Sequence, residues 1–246
     1  MLVSAAGFVF SWFSPGVWET ATQKLFHRGP IDVEIEDDQT FLSDGWSVAL
    51  PSSLPENERP DPGTDGLKVR AWLLDQGGVD AGESNLRMIV RGIGRNTTLL
   101  TGMEARVLSR YPVFDGTLVQ SPSAGAVEVI AVSFDLDAPR PVARFFDEES
   151  GHFRDPYFAD NVVTITPGEI VVFNVKALAK EATYNWVLDI GIQYDGKEQT
   201  LTVDRGGTPF RTTAWPNKYS AYFNWAWYES PAHFLPVNEA GLPIDG

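Results

Sequence analysis

No cysteine occurs among the 246 residues, and that absence removes disulfides, thiolate catalysis, zinc–sulfur sites and iron–sulfur clusters together. It leaves the compartment open, because an exported bacterial protein that folds without oxidative help and a cytosolic domain can both do without cysteine. Histidine is nearly as scarce. His27, His152 and His233 stand far apart, at a helix end and in two loops, so no histidine spacing points to a metal or a catalytic base. The HExxH, GxSxG and P-loop patterns are missing. The nearest glycine pattern, GIGRNT at Gly92 to Thr97, lacks a third glycine and opens no helix, and reads as a β-turn.

Positive charge is also in short supply. Lysine plus arginine number 19 against 33 acids, a net charge of −14, which repels nucleic-acid phosphates unless a basic face overrides it. The densest basic stretch, LRMIVRGIGR, spreads Arg87, Arg91 and Arg95 along a strand and its turn. No nucleic-acid partner is expected.

No apolar run reaches the ~20 residues of a complete membrane span. The chain opens MLVSAAGFVFSWFSPGVWETATQKLFHRGP, where Pro15 stops the apolar stretch and no positive charge precedes Lys24, so the basic region of a secretory leader is missing. Two readings fit. In the favoured one the stretch is the tail of a transmembrane helix, with Phe8, Phe10, Trp12, Phe13 and Trp18 forming an aromatic belt at the membrane surface. In the other the same aromatics dock on the folded domain as a terminal packing element. Aromatics this dense are costly to leave in water, which favours the anchor. A signed helix follows: Ser14 caps, Pro15 takes the first helical position, Glu19 sits near the positive end, and Gly29-Pro30 is the stop. Val17, Trp18, Ala21 and Leu25 share its apolar face, suited to a stalk, a lid or an oligomer contact.

What the chain has in quantity is alternation. IDVEIE puts Ile31, Val33 and Ile35 on one side and three acids on the other. Further strands are expected at 46–50, 67–74, 87–90, 99–110, 117–120, 127–136, 162–165, 169–178, 184–194, 199–204, 210–213 and 222–228. Asp115-Gly116, Asp195-Gly196 and Gly206-Gly207 suit tight hairpins by supplying positive φ at low cost. With no helices interleaved, the expected class is all-β, an antiparallel β-sandwich of one large unit or two packed halves, preceded by an N-terminal helix. The boundaries are 1–29 for the apolar segment and helix and 30–246 for the sandwich, with a candidate sub-boundary in 137–161. The proline- and acid-rich 51–66 reads as a solvated loop.

Two features could carry function. Asp135 and Asp137 in SFDLDAP alternate with Phe134 and Leu136, which would place both carboxylates on one strand face, as a calcium or catalytic pair requires, or simply as a solvent face. A glycosidase would need two carboxylates roughly 5 to 10 Å apart across a cleft. The second feature is the aromatic AWPNKYSAYFNWAWYESP. As a strand it would set Phe223, Trp225 and Trp227 on one face and Tyr222 and Tyr228 on the other. Trp215, Tyr222, Trp225, Trp227 and Tyr228 are then candidates for a stacking platform, against the alternative of core packing.

The short helix before PIDVEIEDD, the phrase FDLDAPRP and the stretch PGEIVVFNVKALAKEATYNWVLDIGIQYDGKEQTLTVDRGGTPFRTT resemble uncharacterised membrane-anchored proteins of actinobacteria, in which a single span precedes a β-rich domain. The resemblance implies a topology and supplies no catalytic residue. The expectation is a non-enzymatic interaction module on the extracytoplasmic side of the cell membrane that recognises a protein or cell-envelope partner, with no cofactor. Two alternatives stand beside it: a soluble, cytoplasmic scaffold that oligomerises through its N-terminal helix, and a glycan-binding or glycoside-hydrolase-like domain.

Overall fold

The structure is a computed structural model that describes residues 29–36, 45–54, 59–122 and 130–244. The segment 1–28, expected to hold the N-terminal helix and the aromatics Phe8, Phe10, Trp12, Phe13 and Trp18, lies outside the described residues. In chain order the strands are β1 (Ile31–Glu36), β2 (Trp46–Leu50), β3 (Val79–Ala81), β4 (Glu83–Gly92), β5 (Thr98–Tyr111), β6 (Thr117–Ser121), β7 (Ile130–Asp135), β8 (Arg144–Asp147) and β9 (His152–Pro156). They continue with β10 (Val163–Ile165), β11 (Ile170–Leu178), β12 (Thr183–Tyr194), β13 (Lys197–Val203), β14 (Phe210–Thr213), β15 (Ala221–Ala226) and β16 (His233–Val237). Two helices complete the described fold, α1 (Gly66–Asp75) and the single turn α2 (Tyr157–Asp160).

The strands form two sheets packed face to face, an all-β sandwich-like arrangement with no closed barrel. One sheet runs β1-β4-β11-β7-β8-β9 and the other β10-β5-β12-β14-β3-β2-β6-β15-β16, with β13 added on β12. Between them lies the main core, where Met88, Phe134 and Phe173 of the first sheet meet Leu100, Trp186 and Phe210 of the second. Alternation explains it: Tyr184, Trp186, Leu188 and Ile190 point inward from β12, while Asn185 and Asp189 point away.

Three pairings depart from the antiparallel expectation: β11 with β7, β14 with β3, and β15 with β6 are parallel. Parallel neighbours need a long crossover, and β7 and β11 obtain one from residues 136–169. That stretch contains the candidate sub-boundary. It carries β8, β9 and α2 rather than a bare linker, and strands from either side of it pair in both sheets, as β4 with β11 and β5 with β12.

Residues 67–74, expected as a strand, are helical. Asp65 accepts a hydrogen bond from the Leu67 amide at 3.0 Å as the N-cap, and Val69 and Leu73, four apart, are buried together. Gly78 then donates to the Leu73 carbonyl at 3.0 Å, closing the C-terminus. This helix covers the outer face of β2, β6 and β15 through a second apolar cluster with Trp46, Val48, Leu50, Val119 and Trp225. The neighbouring loop is not wholly solvated, since Leu54 is buried and its amide donates to Thr117 Oγ1 at 3.1 Å.

Among the three expected hairpins, Asp195-Gly196 joins β12 to β13 with φ of 50° and 72°, the left-handed pair of a tight turn. The other two differ. β5 and β6 do not pair, and Gly116 instead passes the Ser52 backbone so closely that a Cβ would lie 2.3 Å from its nitrogen. Gly206-Gly207 forms a small loop closed by Arg205 and Thr208, between β13 and β14, which lie end to end along β12.

Candidate functional site: a polar cleft beside Trp215

The aromatic C-terminal run is split by the fold. Strand β15 ends at Ala226, and the Trp227 amide turns back to the Trp225 carbonyl at 2.9 Å, so Trp227 does not share a face with Trp225. Trp225 is 1% exposed and packs against Phe234 with ring centroids 5.1 Å apart. It is a core residue and no platform. Tyr222 is half buried, meets Tyr219 edge-on at 5.6 Å, and its hydroxyl accepts from the Tyr219 amide at 3.0 Å. The exposed rings are Trp215 at 50%, Trp227 at 48% and Tyr228 at 56%.

Trp215 borders a cleft of about 630 Å³. Its floor is written in strand register. Ser47 of β2 stands opposite Gln120 of β6, and Gln120 opposite Asn224 of β15, so three polar side chains line up across three strands on the face away from α1. Gln120 Nε2 donates to Ser47 Oγ at 3.1 Å. On the other side Glu83 and Asn85 of β4 contribute, with Asn85 Nδ2 donating to Glu83 Oε1 at 2.9 Å, and Lys180 completes the wall. Trp227 joins the rim indirectly, its Nε1 donating at 3.3 Å to the carbonyl of Pro122, a cleft residue.

Gly82, between β3 and β4, decides where the indole lies. Its φ is +77°, and a Cβ there would stand 2.1 Å from Trp215 Nε1. Only glycine lets the ring lie against this backbone. Trp215 also meets Tyr219 edge-on at 6.2 Å, which fixes a flat apolar surface next to a row of amides and hydroxyls.

Behind the cleft runs a buried polar chain. Arg70 of α1 donates to Asp80 Oδ1 at 2.6 Å, and Ser84 Oγ donates to Asp80 Oδ2 at 2.7 Å. Ser84 in turn meets Thr212 Oγ1 at 2.7 Å, which accepts from Trp186 Nε1 at 3.0 Å. The chain ties α1, β3, β4, β14 and β12 together, and both oxygens of Asp80 are engaged. A buried carboxylate is tolerated when its oxygens are hydrogen-bonded and its charge is paired, as those of Asp80 are.

Asp135 and Asp137 do not share a strand face, because β7 ends at Asp135 and the Asp137 amide folds back to Asp135 Oδ1 at 3.2 Å. Asp137 accepts from the Lys180 amide at 2.7 Å, the Glu181 amide at 3.0 Å and the Tyr184 hydroxyl. Its carboxylate pins the turn after β11. Burial, aided by Asp137, pushes the Tyr184 phenol well above its ordinary pKa. Among the described residues no three acidic or histidine side chains converge where they could hold a metal ion.

Sequence reasoning reached Trp215, Trp227 and Tyr228 and missed Ser47, Gln120, Asn224, Glu83 and Asn85. The signal available was a polar residue within an otherwise apolar strand, as in WSVAL, TLVQS and AYFNWA, but which strands adjoin is not local information.

These features define an all-β, two-sheet protein with a polar cleft flanked by an exposed tryptophan. Beyond that class, comparison with protein-family models, with curated proteins and with solved structures finds no match. No described helix is long and apolar enough to cross a membrane.

Proposed function

We propose that the protein is an extracytoplasmic binding module that recognises a cell-envelope partner, and that the cleft takes a neutral glycan segment of that partner. The carrying observation is the half-exposed Trp215 indole, held over Gly82 beside the in-register row Ser47, Gln120 and Asn224. A sugar ring presents an apolar face and a rim of hydroxyls. The indole suits the first and the amides the second. Binding is favoured over hydrolysis because Asp80 is committed to Arg70 and Ser84, and an oxygen of Glu83 accepts from Asn85. The extracytoplasmic placement rests on the sequence alone, on its aromatic, anchor-like opening.

Isothermal titration with glucan-, mannan- and chitin-derived hexasaccharides tests the reading. One of the three binds, and Trp215→Ala weakens it about tenfold, as loss of a stacking surface would. Unchanged affinity in that variant, or no binding by any of the three, defeats the assignment.

A further inference from the structure

On the outer face of the β5-β12-β14 part of the sheet lies a second pocket, about 420 Å³ in volume, that shares no residue with the cleft. Its size falls within the range of about 300–1,000 Å³ usual for small-ligand sites. Arg211 of β14 and Asn185 of β12 form its base and are direct cross-strand partners, so their side chains rise together from one face. Pro51, Tyr111, Pro112 and Phe114 supply its walls.

The walls are fixed. The Thr183 hydroxyl donates to the Pro112 carbonyl at 2.8 Å, Thr183 and Thr213 hydroxyls meet at 2.7 Å, and Thr213 Oγ1 accepts from the Phe114 amide at 3.1 Å. One chain of hydroxyls thus holds the 112–114 segment against β12 and β14.

The base is unsatisfied. In a protein with 33 acids, no carboxylate among the described residues stands within ion-pair distance of Arg211. Its contacts are a long 3.4 Å hydrogen bond to the Gly77 carbonyl and the Phe114 ring 5.8 Å away. Asp115 is exposed at the rim and does not reach it. Burial draws the guanidinium pKa below its ordinary value, with Tyr111 opposing. Beside it, Asn185 Oδ1 is buried with no donor. A buried acceptor left without a donor is destabilising, and a half-buried guanidinium beside it with no carboxylate partner among the described residues suits an anion.

We propose that this pocket binds the C-terminal carboxylate of a peptide. A peptide terminus offers an anion for Arg211, a polar backbone for the Asn185 side-chain amide at the base, and a side chain for the walls of Pro51, Tyr111 and Phe114. Nothing in this assignment depends on the glycan reading of the cleft.

The test is a titration of isotope-labelled protein by NMR with acetyl-Ala-Ala-Phe bearing a free carboxylate, the same peptide as its C-terminal amide, and sodium acetate. The acid is expected to shift the signals of Asn185, Arg211 and Tyr111 saturably and to bind at least about tenfold more tightly than the amide or acetate. Arg211→Gln abolishes this binding while the remaining spectrum stays unchanged. Should that variant fail to fold, Tyr111→Ala at the exposed rim weakens the acid several-fold and serves instead. Equal binding of acid and amide, or shifts confined to other surfaces, overturns the proposal. Acetate binding as tightly as the peptide reduces the pocket to a simple anion site and overturns the peptide assignment.

Discussion

Single side chains in this protein are often committed before any ligand is considered. Asp80 illustrates it: in the sequence it is one acid among 33, and in the fold it is a 4% exposed carboxylate shared between Arg70 and Ser84. Removing one partner strands the other charge in the core. Arg70→Met is therefore expected to destabilise the protein by about 3–5 kcal/mol, measured by urea unfolding, whereas Arg70→Met with Asp80→Leu recovers much of that loss. A single variant as stable as the parent would show that the chain does not operate as described. Asp137 makes the same point without a charge partner. Two backbone amides and the Tyr184 hydroxyl occupy it, which turns a candidate ligand into a fastener.

Elements follow the same logic where local and tertiary preferences meet. The segment 67–74 alternates enough to read as a strand, yet Asp65 caps it and Val69 and Leu73 fall on one helical face that buries against Trp46 and Trp225. Tertiary burial decided between two periods that the sequence left close. The β8–β9 hairpin is decided by a carboxylate. Asp147 accepts from the Arg154 guanidinium and from the Glu149 and Ser150 amides at 3.1 and 3.3 Å. The Arg154 hydrogen bond, followed by that from Ser150, lowers its pKa from 3.8 to about 2. A depressed folded-state value means the carboxylate stabilises fully above its unfolded pKa and loses that contribution as pH falls through the folded one. The difference in thermal midpoint between the parent and Asp147→Asn should accordingly shrink from about pH 4 downward and disappear only below about pH 2. A difference independent of pH would separate the hairpin's stability from this carboxylate.

At the scale of the whole molecule, both sheets are assembled from strands distant in sequence. β4 pairs with β11, β5 with β12, β3 with β14 and β6 with β15. Neither half can complete a sheet alone. Unfolding should therefore be one cooperative transition by calorimetry and by tryptophan fluorescence, and residues 29–136 expressed without 137–246 should not fold. Two separated transitions would instead identify independent halves. The two pockets follow from the same long-range pairing. The cleft needs β2, β6 and β15 side by side, and the Arg211 pocket needs β12 beside β14.

The sequence by itself determined the class. Period-two alternation, turn residues and the scarcity of interleaved helical pattern dictate strands, and burying one face of each dictates a layered β fold, because side chains of a strand alternate whatever their neighbours. It also pointed to the Asp195-Gly196 hairpin, where both residues take positive φ, although the same pair at Asp115-Gly116 joins strands that do not pair. Tertiary structure alone decided the rest. Whether Trp225 or Trp215 faces solvent depends on where β15 ends and where α1 lies. That Ser47, Gln120 and Asn224 form a row, and that Arg211 faces Asn185 without an acid, depends on register between strands up to about a hundred residues or more apart. Register is set by which faces bury together, and that is a property of the packed whole.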